Sequence, residues 1–264
     1  MTDGLTVLVT NDDGVGSPGL AALVRGMAGA GRQVVVAAPS SDQSGTSAAV
    51  APRPAEGVPV ERLALAGLED LVTYAFAVDG PPALAVLYAR LGELGRAARS
   101  ATVVASGVNL GQNTGAAVLF SGTVGAALAG ANLGLSALAV SIASMAPRHL
   151  DTATAVSAAA LDWLVDAPAG TVLNLNVPDR PLDRLSGVCP APLATFGQVE
   201  AAARERDHGP FTVQLRVAET EPAADSDMAR LRAGWVTVTP LLGVRADLNA
   251  DVASFIERAV SRAA

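Results

Sequence analysis

Between Arg99 and Arg148 lie 48 residues without one charged side chain. A run that long belongs out of water, either in a bilayer or beneath helices covering both faces of a sheet. A membrane span needs about 20 predominantly apolar residues in a single element. Ser106, Asn109, Gln112, Asn113, Ser121, Thr123 and Asn132 interrupt the run. In its most apolar part, 124–146, Gly130, Asn132, Gly134 and Ser136 divide a helix-like piece from a strand-like one. The run therefore reads as the buried interior of an α/β protein with no membrane partner. Asp3 stands where a signal peptide carries positive charge, and residues 6–10 are too short for its apolar core. A cytoplasmic location is expected.

The rest of the chain supplies the alternation such an interior needs. Residues 5–10 (LTVLVT) read as a strand that ends in the turn Asn11-Asp12-Asp13-Gly14. Ser17-Pro18 has the form of an N-cap followed by proline, opening a helix to about Ala28, and 33–38 reads as a second buried strand. Further strands are expected at 74–78, 101–105, 137–142 and 171–176. Helices are expected at 82–91, 122–132 and 151–165, the last capped by Asp151. This order predicts a doubly wound, mostly parallel sheet. After Pro178 the texture changes: prolines punctuate the chain, 200–207 is charged, 211–217 alternates like a half-exposed strand, and 251–263 has the pattern of an amphipathic helix. We read 1–180 as the core and 181–264 as its extension, with a C-terminal β-hairpin arm and a terminal helix, in a single domain overall.

Charge bounds the chemistry. The chain has 18 basic and 25 acidic side chains, a net charge of -7, and every basic residue is Arg. Without lysine there is no lysine-bearing P-loop, no lysine Schiff base and no pyridoxal-lysine site. The acidic balance and an aromatic content of 3% disfavour a nucleic acid polymer as partner, which calls for clustered cations and stacking surfaces. A single cysteine, Cys189, excludes an intramolecular disulfide.

In an open parallel sheet, ligands bind beyond the carboxyl ends of the strands. Three polar clusters fall there: Asn11-Asp12-Asp13, residues 40–46, and residues 106–123. Asp12 and Asp13 would face opposite ways within a strand, so they converge only in a turn. Two adjacent carboxylates repel unless a proton or a cation lies between them. With oxygen donors nearby, that cation would be Mg²⁺, Mn²⁺ or Ca²⁺ rather than Zn²⁺. Asn-Asp-Asp-Gly is also ordinary turn chemistry. The third cluster adds weight to the metal: glycines at 107, 111 and 115 let backbone N–H groups approach a ligand, and Ser121-Gly122-Thr123 opens a helix whose N-terminus attracts anions. Close packing of a helix on the sheet is the competing account of these glycines.

The motifs Asn11-Asp12-Asp13-Gly14, Ser44-Gly45-x-Ser47, Ser106-Gly107-Val108-Asn109-x-Gly111-x-Asn113-x-Gly115 and Ser121-Gly122-Thr123-Val124-Gly125, in this order, resemble the successive signatures of the SurE family of nucleotidase-phosphatases. Asn174-Leu175-Asn176-Val177-Pro178, Ser226-Asp227 and Gly234-Trp235-Val236-Thr237-Val238-Thr239-Pro240-Leu241 extend the similarity. The resemblance implies a Rossmann-like catalytic core, one divalent cation per subunit, hydrolysis of nucleoside 5′- or 3′-monophosphates, and a homodimer or homotetramer tied by C-terminal arms. Carried over by position, Asp12, Asp13, Ser44 and Asn109 would be metal ligands. Asn11, Asn113, Ser121, Gly122 and Thr123 would surround the phosphate. The catalytic set would be Asp12, Asp13, Asn113 and Ser121, with either aspartate able to accept a proton from the attacking water.

The sequence departs from the family where Gly80-Pro81-Pro82-Ala83-Leu84-Ala85-Val86 stands for the usual Gly-Thr-Pro-x-Asp-Cys-Val, and where Ala117 replaces an aspartate. These losses keep open a binding protein without turnover, and a phosphatase for a non-nucleotide ester. A phosphoaspartate mechanism is disfavoured because the aspartates are adjacent rather than spaced Asp-x-Asp. A dinucleotide fold is disfavoured because the first turn lacks G-x-G-x-x-G. His149, His208, Arg204 and Arg206 read as loop or surface residues, with His208, Arg204 and Arg206 in the expected arm.

Overall fold

The computed structural model of the chain describes residues 5–50, 57–195, 199–204, 212–217, 221–244 and 252–261. His208 and Arg206 lie outside these residues. The first apolar run forms β1 (Thr6–Thr10), buried throughout, as an aliphatic run must be at the centre of a parallel sheet. Ser17 caps α1 (Pro18–Gly29) by accepting from the Gly19 N–H, and β2 (Gln33–Pro39) returns parallel to β1. β3 (Val60–Leu63) is an exposed edge strand whose two central charges hid it from the apolar pattern. It lies antiparallel to β4 (Tyr74–Val78). α2 (Pro82–Leu91) and the single turn α3 (Arg96–Arg99) lead to β5 (Val103–Leu110). A 3₁₀ turn (Gly115–Phe120) precedes α4 (Gly122–Asn132), β6 (Ser136–Ile142), α5 (Leu150–Val165) and β7 (Val172–Val177). Beyond them come β8 (Gly187–Pro190), β9 (Val199–Arg204), β10 (Thr212–Val217), α6 (Asp227–Arg232), β11 (Trp235–Leu241) and α7 (Val252–Ser261).

Nine strands make one sheet in the order β3-β4-β2-β1-β5-β6-β7-β11-β8. The six from β4 to β7 are parallel and run in Rossmann order, which reverses direction between β1 and β5. That reversal opens a crevice at their carboxyl ends. α1 and α5 cover one face through Leu20, Leu23, Met27, Leu161 and Leu164. α2 and α4 cover the other through Val86, Ala89, Val124 and Ala127. The uncharged run is thus β5, α4 and β6. Among the described residues no helix is long and apolar enough to cross a membrane. β8 and β11 join the same sheet, β11 antiparallel to β7, and β9 and β10 form a separate antiparallel hairpin.

Two expectations need correction. The strand expected at 101–105 continues to Leu110, with a register shift between Ser106 and Asn109, so Asn109 belongs to a strand end rather than a loop. Asp151 does not cap α5: His149 occupies the cap position and Asp151 sits in the first turn, where its charge still favours the helix N-terminus.

Candidate active site

β1 delivers its turn into the crevice, and Asn11 shapes that turn. The Asn11 Nδ2 donates to the Gly14 carbonyl at 2.9 Å, while its Oδ1 is buried without a partner. The side chain therefore lies inside the turn. Asp12 is 3% exposed and lies against the start of α4. The Thr123 hydroxyl donates to Asp12 Oδ1, and Gly122 allows the approach, because a Cβ there would sit 2.8 Å from both Cβ and Oδ2 of Asp12. Asp13 is half-buried beside the end of β5, where the Leu110 N–H reaches its Oδ2 at 3.4 Å. Asn109, next to Leu110, donates from Nδ2 to the Gly111 carbonyl at 2.8 Å, which leaves its side-chain oxygen available.

Electrostatics distinguish the aspartates. Burial raises the Asp12 carboxyl above its usual value against the opposing hydrogen bond from Thr123. Burial, and then the charge of Asp12, push the Asp13 carboxyl up to about 6. Among the described residues no arginine or histidine forms an ion pair with either. A third carboxylate, unforeseen from the sequence, adds to the field: Asp42 raises both through its charge. Its own carboxyl is lowered by hydrogen bonds from the Ser44 hydroxyl at 2.7 Å and the Ser44 N–H at 2.8 Å. The loop is tied to the site by the Gln43 N–H, which donates to the Asp12 carbonyl at 2.7 Å. Ser44 is exposed one residue further on.

The phosphate-type loop is clamped from β7. Asn113 donates its N–H to Asn176 Oδ1 at 2.8 Å, and its carbonyl accepts from the Nδ2 of both Asn174 and Asn176 at 2.9 Å. Its own Nδ2 donates to the Ser141 hydroxyl at 2.9 Å. Ser121 caps α4 by accepting from the Val124 N–H at 3.1 Å, which leaves its hydroxyl proton free for an anion. Gly107 fits neither account: a Cβ there would collide with the Val140 carbonyl of the neighbouring strand β6, so its need is close strand packing rather than a helix on the sheet. Asn174 and Asn176 were legible as two amides on one face of an otherwise aliphatic strand, but not their target. His149 donates its backbone N–H to Asp179 and lies at the start of α5.

The departures from the family pattern fall in two places: Ala117 is half-buried in the 3₁₀ turn before α4, and the others lie at α2. Leu84 and Ala85 are buried in α2, Ala85 within the apolar cluster beneath the sheet, and Pro81 precedes α2 without a side-chain cap.

Residues 7–199 match the family model described as Survival protein SurE. The chain belongs to the SurE family. Among relatives of this SurE chain, the 5′-nucleotidase SurE of Methylococcus capsulatus is 34% identical over 241 residues, covering 89% of this chain and 90% of that protein. The 5′/3′-nucleotidase SurE of Edwardsiella ictaluri is 36% identical over 245 residues, covering 90% and 89%. The solved structure of the SurE protein from Aquifex aeolicus superposes with a TM-score of 0.78 at 24% identity, over 96% of this chain and 99% of that one, which supports the fold.

Proposed function

We propose that this SurE chain hydrolyses phosphate monoesters, nucleoside 5′- or 3′-monophosphates first among them, with the help of one divalent cation. The observation that carries the reading is the meeting of two opposites. Asp12, against the N-terminus of α4, which attracts anions, and Asp13, beside the end of β5, both have raised carboxyls, and neither is ion-paired among the described residues. A phosphate can join two carboxylates there only if positive charge is brought to them, and a divalent cation supplies it. The naming of the relatives as nucleotidases supports the same reading.

The donor set fits a hard cation. Among the described residues no three His, Cys, Asp or Glu side chains converge, so hydroxyl and amide oxygens must complete any site. Asp12, Asp13, Ser44 and Asn109 would hold Mg²⁺, Mn²⁺ or Ca²⁺. Such a cation, when bound, lowers the pKa of a coordinated water and offsets phosphoryl charge. The chain does the rest. The Gly122 N–H and the Ser121 hydroxyl orient phosphate oxygens, while Asn113 keeps a side-chain oxygen and one amide proton for the substrate. Asp12, held by Thr123, is the fixed partner, and the more open Asp13 accepts the proton of the attacking water. The β9–β10 hairpin and α7 are proposed as the arms that join copies into a dimer or tetramer, to be measured by light scattering.

The test is release of phosphate from nucleoside monophosphates or p-nitrophenyl phosphate with Mg²⁺ or Mn²⁺. EDTA and Asp13→Asn should each abolish it. Full activity in both would overturn the metal mechanism, and saturable nucleotide binding without product would favour a binding protein.

A further inference from the structure

Among the described residues, Asp12 and Asp227 are the buried carboxylates, and the chemistry above uses only the first. Asp227 is 0% exposed and takes part in no ion pair among the described residues. Its charge is met by backbone amides alone. Oδ1 accepts from Met228 at 2.7 Å and Ala194 at 2.9 Å, which are local to α6 and to the segment after β8. Oδ2 accepts from the Gly115 N–H at 2.8 Å, 112 residues away in the chain. Anchoring α6 and the segment after β8 would need only Oδ1. The second oxygen is spent on the loop that leads to the phosphate-binding end of α4.

Gly115 lies two residues beyond Asn113 and opens the 3₁₀ turn that brings Ser121 to its capping position. Asn174 and Asn176 hold Asn113 from the sheet, and Asp227 holds Gly115 through α6. We propose that Asp227 is a positioning residue: its Oδ2 sets the path of residues 113–121, so that the Ser121 hydroxyl and the Gly122 N–H at the start of α4 meet the phosphoryl group. The inference rests on the phosphatase reading and adds a residue distant from the reacting atoms. A charged acceptor suits the task because amide bonds to a carboxylate are stronger than those to a neutral oxygen.

Asp227→Asn separates the two oxygens. The one remaining carbonyl stays with the two amides of Ala194 and Met228, and the new NH₂ opposes the Gly115 N–H, donor against donor. The expected result is a folded chain whose affinity for inorganic phosphate, titrated calorimetrically with Mg²⁺, falls about tenfold or more, the effect of one lost charge-assisted hydrogen bond. KM for p-nitrophenyl phosphate should rise in step, while Mn²⁺ affinity stays within about twofold because Asp12 and Asp13 keep their partners. Ser226→Ala is the control. It removes the cap of α6, the Ser226 hydroxyl bond to Ala229 N–H, without touching Gly115, so it should lower the melting temperature and leave phosphate affinity unchanged. Unchanged phosphate affinity in Asp227→Asn, or an equal loss in Ser226→Ala, would overturn the proposal. A readout on the unmutated protein needs no variant to fold: the Gly115 amide should exchange hydrogen more slowly than its neighbours at 116–120, and fast exchange there would also overturn it. If the unmutated chain turns over no phosphate ester, the phosphatase reading fails, whereas phosphate affinity and exchange still decide the role of Asp227.

Discussion

Asp12 and Asp13 are neighbours in sequence with different surroundings, and those surroundings set different outcomes for substitution. Gly122→Ala places a methyl 2.8 Å from Asp12, which must move or push α4 away. Activity should fall about 10- to 100-fold, as expected when reacting groups shift by about 1 Å, with a cooperative melt retained. Thr123→Val keeps shape but removes the donor to Asp12. It should destabilise the chain by about 1–3 kcal/mol in urea, unless a cation takes over the orphaned oxygen. The raised carboxyls also fix a pH dependence. A carboxyl whose folded value lies above its unfolded 3.8 holds its proton longer in the folded chain, so its contribution is full below 3.8 and is lost as pH rises through the folded value, about 6 for Asp13. In EDTA the melting temperature should therefore decline from pH 5 to 7.5 relative to an Asp12→Asn/Asp13→Asn variant. A relative rise over that window would contradict the electrostatic account.

At the scale of elements, β7 couples the sheet to the loop. Asn176→Leu keeps the branching at Cγ and deletes the acceptor of the Asn113 N–H together with one donor to its carbonyl. The urea midpoint should drop by about 1–3 kcal/mol equivalent at unchanged slope, and KM should rise. β4, α2 and α4 were legible and fall where the pattern placed them, because each is a mostly apolar run between turn residues. β5 was read short because Ser106, Gly107 and Asn109 look like loop residues. β1 and β6 hold Ser106 in the ladder and β6 holds Asn109, while Gly107 falls in the irregularity between them, its backbone packed where no side chain fits. β3 and β8 were not legible, since a four-residue edge strand is stabilised by its partner rather than by its own pattern.

At the scale of the molecule, an acidic chain without lysine binds an anion, on the proposed reading, where the N-terminus of α4 faces a borrowed cation. A cation at 100 times its dissociation constant stabilises by about 2.7 kcal/mol, so Mn²⁺ should raise the melting temperature at pH 7.5 by about 5–10 °C over EDTA. A shift of zero would remove the cation from the account. The sequence by itself determined that strands and helices alternate, that the uncharged run is interior, and that two carboxylates, an amide-rich loop and a helix start share one edge. Those follow from local periodicity, which a single segment carries. Only the tertiary structure decided that Thr123 fixes Asp12 and leaves Asp13 open, that Asp42 joins their field, and that Asn174, Asn176 and Asp227 hold the loop. Each is a pairing between segments far apart in the chain, set by strand order and helix packing, and no local pattern encodes a partner 112 residues away.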